Sequence, residues 1–195
     1  MNFIVVEGRS DKEFLEQYIH YKKANFTYRI IENDGNQLKD SVLNQIQKAL
    51  DYANKVYIIF DADLDYAQTL QGIKKKLNTK IFQEIQNDIE IFLFPNNRDN
   101  GELETLLSYI IPAESQEMIK CFDKYVKCVK SKFPNLIENI NKKSKMYAYR
   151  EVSGLEKKVK QMKDKNNQDL FNAYFDFDSN YLQPLYEFLF SNSKD

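Results

Sequence analysis

Four short apolar runs limit what this chain can fold into. Phe3–Val6, Phe26–Ile31, Val56–Phe60 and Ile89–Phe94 are rich in Ile, Val and Phe, and each has the length of a strand rather than a helix. Val56–Phe60 is apolar throughout, as a strand covered on both faces must be. Helical periodicity fills the gaps between the runs. Ser10 with Glu13 three residues on forms a capping box, and Phe14, Leu15, Tyr18 and Ile19 supply an apolar stripe behind it. Leu38, Val42, Ile46, Ala49, Leu50 and Ala53 recur at threes and fours. Further helices are expected over Ala67–Leu77 and from Leu103 to Ile111, before Pro112. Strand–helix alternation of this kind predicts an α/β fold: a Rossmann-like, mainly parallel sheet of about four strands flanked by helices.

Beyond Pro112 the strand signal fades. A core over residues 1–112 and a helical C-terminal extension over residues 113–195, packed on that core, are the expected organisation. Glu114–Lys132 reads as a helix with Met118, Cys121, Phe122, Tyr125, Val126 and Val129 on its apolar face, and Tyr181–Phe190 as a final helix. Cys121 and Cys128 then sit about 10 Å apart along that helix, too far for a disulfide. They are expected to be core thiols. His20, the one histidine, falls at the end of the first helix, where packing or capping is the expected role.

Several function classes are excluded. Fourteen Phe and thirteen Tyr in 195 residues supply enough apolar area to offset ordering entropy, so the chain is not disordered. The apolar runs are too short to cross a bilayer, and MNFIVVEGRSDKEF has neither the basic nor the long apolar region of a signal peptide. A cytoplasmic protein without a membrane partner is expected. Neither GxGxxG nor GxxxxGK[ST] occurs, which leaves no phosphate-cradling loop of either kind.

The acids are placed with more purpose. In an open parallel sheet, functional groups gather beyond the carboxyl ends of the strands. Glu7 follows the first run, Asp61, Asp63 and Asp65 follow the third, and Asp99, Glu102 and Glu104 follow the fourth. Carboxylates crowded at one edge are costly unless a cation binds or some stay protonated. Oxygen ligands without His or Cys select Mg²⁺ or Mn²⁺. Alternation along an extended stretch places Asp61 and Asp63 on one side, within reach of one ion. These residue types in this order point to metal-dependent phosphoryl transfer.

The same residues carry a family resemblance. Val5-Val6-Glu7-Gly8-Arg9-Ser10-Asp11 resembles the glutamate motif of Toprim domains, and Ile58-Ile59-Phe60-Asp61-Ala62-Asp63-Leu64-Asp65 resembles their DxD motif in a DxDxD form. Toprim domains occur in topoisomerases, bacterial primases, RNA-maturation nucleases and the overcoming-lysogenization-defect nucleases. The resemblance implies that Glu7 acts as general acid/base or metal ligand. It implies that Asp61 and Asp63 bind Mg²⁺, with Asp65 as a helper. Phe94-Pro95-Asn96-Asn97 with Gly101-Glu102-Leu103-Glu104, together with Phe175-Asp176-Phe177-Asp178-Ser179 near the end, is similar to a small stand-alone Toprim-like family of prokaryotic proteins. That similarity makes Glu104 the acid expected to join the cluster. A haloacid-dehalogenase-type phosphatase would need its DxD after the first strand, and a response-regulator receiver an acidic pair there. Motif order disfavours both.

The net charge of −1 conceals a division. Residues 120–165 hold 14 Lys/Arg against five Asp/Glu, and the remainder holds 14 against 24. Lys120, Lys124, Lys127 and Lys130 line one helix face. Lys142, Lys143, Lys145, Arg150, Lys157, Lys158 and Lys160 follow, with Tyr147 and Tyr149 between them, and Arg9 stands beside Glu7. Such residues neutralise phosphates, and tyrosines stack on bases. Lys outnumbers Arg, which favours contact with phosphate over base readout. The expected activity is therefore a Mg²⁺- or Mn²⁺-dependent nuclease-like or phosphotransfer reaction on nucleic acid. The alternative is a non-catalytic, Toprim-like component of a larger assembly that binds nucleic acid or protein, with a second copy of the chain or another protein as the expected partner.

Overall fold

A computed structural model describes residues 1–22, 26–78, 88–134, 142–154 and 174–191. The sheet is built outward from β1 (Asn2–Val6). β2 (Tyr28–Glu32) pairs along one side of β1 and β3 (Val56–Asp61) along the other, and β4 (Ile89–Phe94) pairs with β3. The order is β2-β1-β3-β4, and every pair is parallel. This is the α/β architecture expected from the alternation of apolar runs. The second strand starts at Tyr28 instead of Phe26. The Phe26 ring turns onto Tyr57 and Phe190, so its burial serves the face of the sheet and not the ladder.

Alternation along the strands divides the core into two chemistries. One face is aliphatic. Phe3, Val5, Val56, Ile58, Phe60 and Leu93 pack against Leu38 and against Val42, Ile46 and Ala49 of α2 (Asp40–Leu50), and against Ile73 and Leu77 of α3 (Tyr66–Leu77). The other face is aromatic. Phe14 of α1 (Arg9–Tyr21) meets Phe94 edge-on, and Phe188 of the last helix, α7 (Gln183–Phe190), meets both Tyr57 and Phe92 with centroids 5.2 Å apart. Tyr57 is held there with its phenol pushed up to about 12, by burial first and the nearby Glu90 second. Offset and edge-on ring contacts of this kind add to the stabilisation from area alone.

The start of α1 differs from the expected capping box. Gly8 takes the N-cap position, and its N–H donates to Asp11 Oδ2 at 2.8 Å. Glu13 pairs with Arg9 instead. The helix begins at Arg9, so the Ser10 register would place the cap two residues into the helix.

The chain divides into two compact units, Met1–Leu106 with Asn180–Asp195, and Leu107–Ser179. The last helix, counted with the C-terminal extension from sequence, thus belongs to the unit that contains the sheet. α4 (Leu103–Tyr109) begins in the first unit and ends in the second. In the second unit, α5 (Gln116–Lys132) packs on α6 (Lys142–Val152). The Tyr149 hydroxyl donates to the Tyr174 carbonyl at 2.8 Å, and Phe175 lies edge-on to Tyr149. Only Ile119 of α5 is buried. Cys121 and Cys128 are both exposed, which corrects their reading as core thiols. The apolar stripe was legible, but nothing described covers most of it. Among the described residues no helix is long and apolar enough to cross a membrane.

Leu189 is fully buried in the first unit. Leu189→Ala is expected to lower unfolding stability by about 3 kcal/mol, measured by urea denaturation, because a buried leucine leaves both lost contacts and a cavity. A loss below about 1 kcal/mol would contradict the place given to α7 in the core.

Candidate functional site at the carboxyl edge of the sheet

The side on which strands are added reverses at β1: the chain steps to β2 on one side and then crosses to β3 on the other, all strands running parallel. A crevice outside the carboxyl ends of two strands that diverge in this way is where α/β sheets bind ligands. Val6 pairs with Ile59, so Glu7 leaves the sheet level with Phe60, and Asp61 follows one residue higher. Asp61 ends β3 and is 8% exposed. Its Oδ1 accepts the N–H of Leu103 at 2.8 Å, which ties the end of β3 to the start of α4.

Three further carboxylates act on Asp61. Asp11 sits buried in the first turn of α1, Glu7 precedes that helix with its Oε2 oxygen buried, and Glu104 lies in the first turn of α4. Burial, followed by the charges of Asp11 and Glu7 and more weakly that of Glu104, pushes the Asp61 carboxyl up to about 9, against the bond from Leu103. At neutral pH the carboxyl is therefore protonated. It is a neutral acid placed among anions.

The structure thus groups Glu7, Asp61 and Glu104 as the sequence suggested, and adds Asp11. Asp11 was missed because the cap was read on Ser10 and Glu13, which left Asp11 without a role; its position four residues after Glu7 was the available signal. Asp63 departs from the expectation of an extended stretch. Its φ is +54°, a left-handed conformation that Asp tolerates better than most residues, so strand alternation does not carry from Asp61 to Asp63. The position is fixed instead by Asp63 N–H donating to the Gly101 carbonyl at 2.8 Å, with Asn36 Nδ2 at 3.4 Å from Asp63 Oδ2. Gly101 itself has φ +149°, and a Cβ there would lie 2.8 Å from the Thr105 hydroxyl, so this approach requires glycine. Asp65 caps α3, its Oδ1 accepting from Gln68 N–H at 3.0 Å.

Two asparagine-built loops frame these acids. Buried Asn33 accepts from Lys39 N–H and donates to the Gly35 and Gln37 carbonyls, folding the loop that carries Asn36. Asn100 accepts from Tyr66 N–H and donates to the Leu64 carbonyl, clamping the loop that carries Asp63 and Asp65. That both loops meet the segment carrying Asp63 and Asp65 was not legible in the sequence.

The basic residues are distributed differently. Arg9 is exposed and pairs with Glu13 at 2.8 Å, which holds its guanidinium above the ordinary value. Lys143, Lys145 and Arg150 lie on α6 in the second unit, where Lys145 pairs with Asp123 at 2.6 Å. Lys142 starts α6, but its side chain lies outside what is described, as do Lys157, Lys158 and Lys160 altogether. Tyr149 is buried and hydrogen-bonded, so it is no stacking platform; Tyr147 is exposed. His20 is exposed at the last turn of α1.

A family model described as "Protein of unknown function (DUF3226)" matches residues 1–191. The chain belongs to that family. No curated protein and no solved structure matches it. The DUF3226 match spans both units, so the carboxylate cluster and the α5–α6 pair fall within one family unit.

Because the folded-state value of Asp61 is raised from 3.8 to about 9, the native state binds more protons than the unfolded chain between these limits. Stability therefore falls as pH rises through that window, by up to about 1.4 kcal/mol per pH unit. Below the lower limit the carboxyl is protonated in both states and costs nothing further. Asp61→Asn keeps the shape and an acceptor for Leu103 while removing the titration. The wild type is expected to lose stability relative to Asp61→Asn from pH 5 to 8.5, read from urea midpoints. Parallel profiles would show that Asp61 does not titrate there.

Proposed function

We propose that the first unit is a Toprim-like domain acting on nucleic-acid phosphodiesters, with Asp61 at its centre. The observation that carries this reading is the convergence of Glu7, Asp11, Asp61 and Glu104, from three separate segments, at the carboxyl edge of adjacent parallel strands. Structural economy does not explain four acids placed so that one must stay protonated. Such an arrangement weakens the fold unless it serves chemistry.

The chain's own groups suit proton handling. Without a bound cation Asp61 is neutral at physiological pH and able to give a proton to a leaving oxygen. Glu7, half-buried in the turn after β1, suits the complementary role of acceptor. A carboxyl held high beside other carboxyl groups is the kind of pairing that separates acid from base in other sites.

The reading includes Mg²⁺ or Mn²⁺. All-oxygen donors and mutual repulsion favour a hard divalent cation, which when bound would stabilise charge on a phosphate. The present placement of the side chains does not favour it: among the described residues no three His, Cys, Asp or Glu surround one point as a ligand set. Donor chemistry fits, and the arrangement as it stands does not.

A second, non-catalytic reading is favoured by the second unit. The two helices α5 and α6 carry nine Lys/Arg against three Asp/Glu, which suits binding of an anionic partner without chemistry.

Incubation of supercoiled DNA, single-stranded DNA and RNA with the protein and Mg²⁺ or Mn²⁺ decides between the two. Cleavage of at least one substrate is expected, reduced about 100-fold or more in Asp61→Asn and Glu7→Gln. No cleavage of any substrate, together with no heat of Mg²⁺ or Mn²⁺ binding by calorimetry, would leave the binding reading.

A further inference from the structure

We propose that Asn100 is a spontaneous deamidation site whose conversion unlocks the loop carrying Asp63 and Asp65. Asn100 precedes Gly101, and no other asparagine in the chain is followed by glycine. In such a pair no Cβ shields the second residue's backbone nitrogen, so that nitrogen reaches the preceding side chain more readily than elsewhere. Gly101 N then forms a bond to Asn100 Cγ, the Cγ–Nδ2 bond breaks, and ammonia leaves with the proton that the peptide nitrogen gives up. Water opens the resulting cyclic imide at one carbonyl or the other, to aspartate or to isoaspartate. Water is the one co-reactant, and nothing is oxidised or reduced.

The fold requires both members of the pair. A Cβ at Gly101 would lie 2.8 Å from Thr105 Oγ1 and 3.1 Å from Pro95 Cδ, at a φ of +149°. Asn100 uses both ends of its amide: Oδ1 accepts from Tyr66 N–H at 2.9 Å, and Nδ2 donates to the Leu64 carbonyl at 2.6 Å. An ionised aspartate of the same shape offers acceptors only. These two bonds also restrain the reaction, because Cγ cannot swing toward Gly101 N while both hold. Asn100 is exposed, so releasing them disturbs no part of the core, and deamidation proceeds through that local opening. The consequence is one-way. A carboxylate in place of the amide sets an oxygen against the Leu64 carbonyl and adds negative charge to a segment that already holds Asp63, Asp65 and Asp99. Isoaspartate further lengthens the backbone by one carbon next to Gly101, whose carbonyl accepts from Asp63 N–H at 2.8 Å. Either product loosens the anchors of the 63–66 segment.

This inference is independent of the chemistry proposed for the first unit. Its test ages the full-length protein at physiological temperature and mildly alkaline pH, both folded and in urea, and follows each asparagine by peptide mapping with mass spectrometry. Asn100 is expected to convert in both, between about tenfold and a hundredfold more slowly in the folded protein. Asn33 supplies the comparison. Its amide is likewise held at both ends, but Asp34 follows it, and it is expected to remain an amide in the folded protein. Asn100→Asp, the aspartate product in defined form, is expected to speed hydrogen exchange of the 63–66 amides about tenfold, and the aged protein to do the same. Equal rates of conversion in the folded and unfolded chain would overturn the proposal, since the two bonds would then restrain nothing. So would an Asn100 that stays intact in the folded protein after about a hundred half-lives of the unfolded one. Exchange over 63–66 that is unchanged in both Asn100→Asp and the aged protein overturns it as well.

Discussion

The first unit depends on keeping a carboxyl group buried at the end of a central strand. Asp61 terminates a strand whose every residue is buried, and its oxygen fastens β3 to the first turn of α4 through the Leu103 N–H. Removing a carboxylate from water is expensive, and nearby anions raise the cost. The fold meets that cost by holding Asp61 in its neutral form at ordinary pH. Loops 33–39 and 96–101 then serve to immobilise the segment that follows, through Asn33, Asn36, Asn100 and the Gly101 carbonyl. Most of the hydrogen bonds named for these loops run to backbone groups, and Asn36 adds one to the Asp63 side chain, which is how short polar turns become rigid enough to frame a site.

The two faces of the sheet divide the work. Aliphatic packing under α2 and α3 fixes the register of β1 and β3, while the aromatic face under α1 and α7 joins the end of the chain to the same sheet. Register matters here because a shift of one residue would turn Asp61 toward the opposite face. The apolar alternation that holds the strands in place therefore also positions the acid.

Much of this was legible from residues alone. The strands, their parallel arrangement and the strand-end acids Glu7 and Asp61 all follow from apolar periodicity and from where polar residues interrupt it. Other readings failed for identifiable reasons. Asp63 breaks alternation because it lies just past the strand, in a left-handed turn held by Gly101, and periodicity has no authority beyond the last ladder bond. Asp11 was hidden because the cap was read on Ser10 and Glu13, and its interaction with Asp61 arises only in the folded chain. Cys121 and Cys128 shared an apolar stripe, but a stripe shows only that a face is apolar and does not show that anything in the chain covers it.

The sequence by itself determined the alternation of strands and helices, the side of the sheet where acids collect, and the separation of basic from acidic segments. These are local properties, set by spacing along the chain. Tertiary structure alone decided which acids meet. Asp11, Glu7, Asp61 and Glu104 are up to 97 positions apart in sequence, from 7 to 104, and their mutual repulsion exists only once the parallel pairing of β1 with β3 brings them together. Tertiary structure also decided that Ile119 is the one buried residue of α5 among those described, because burial depends on what arrives from elsewhere in the chain.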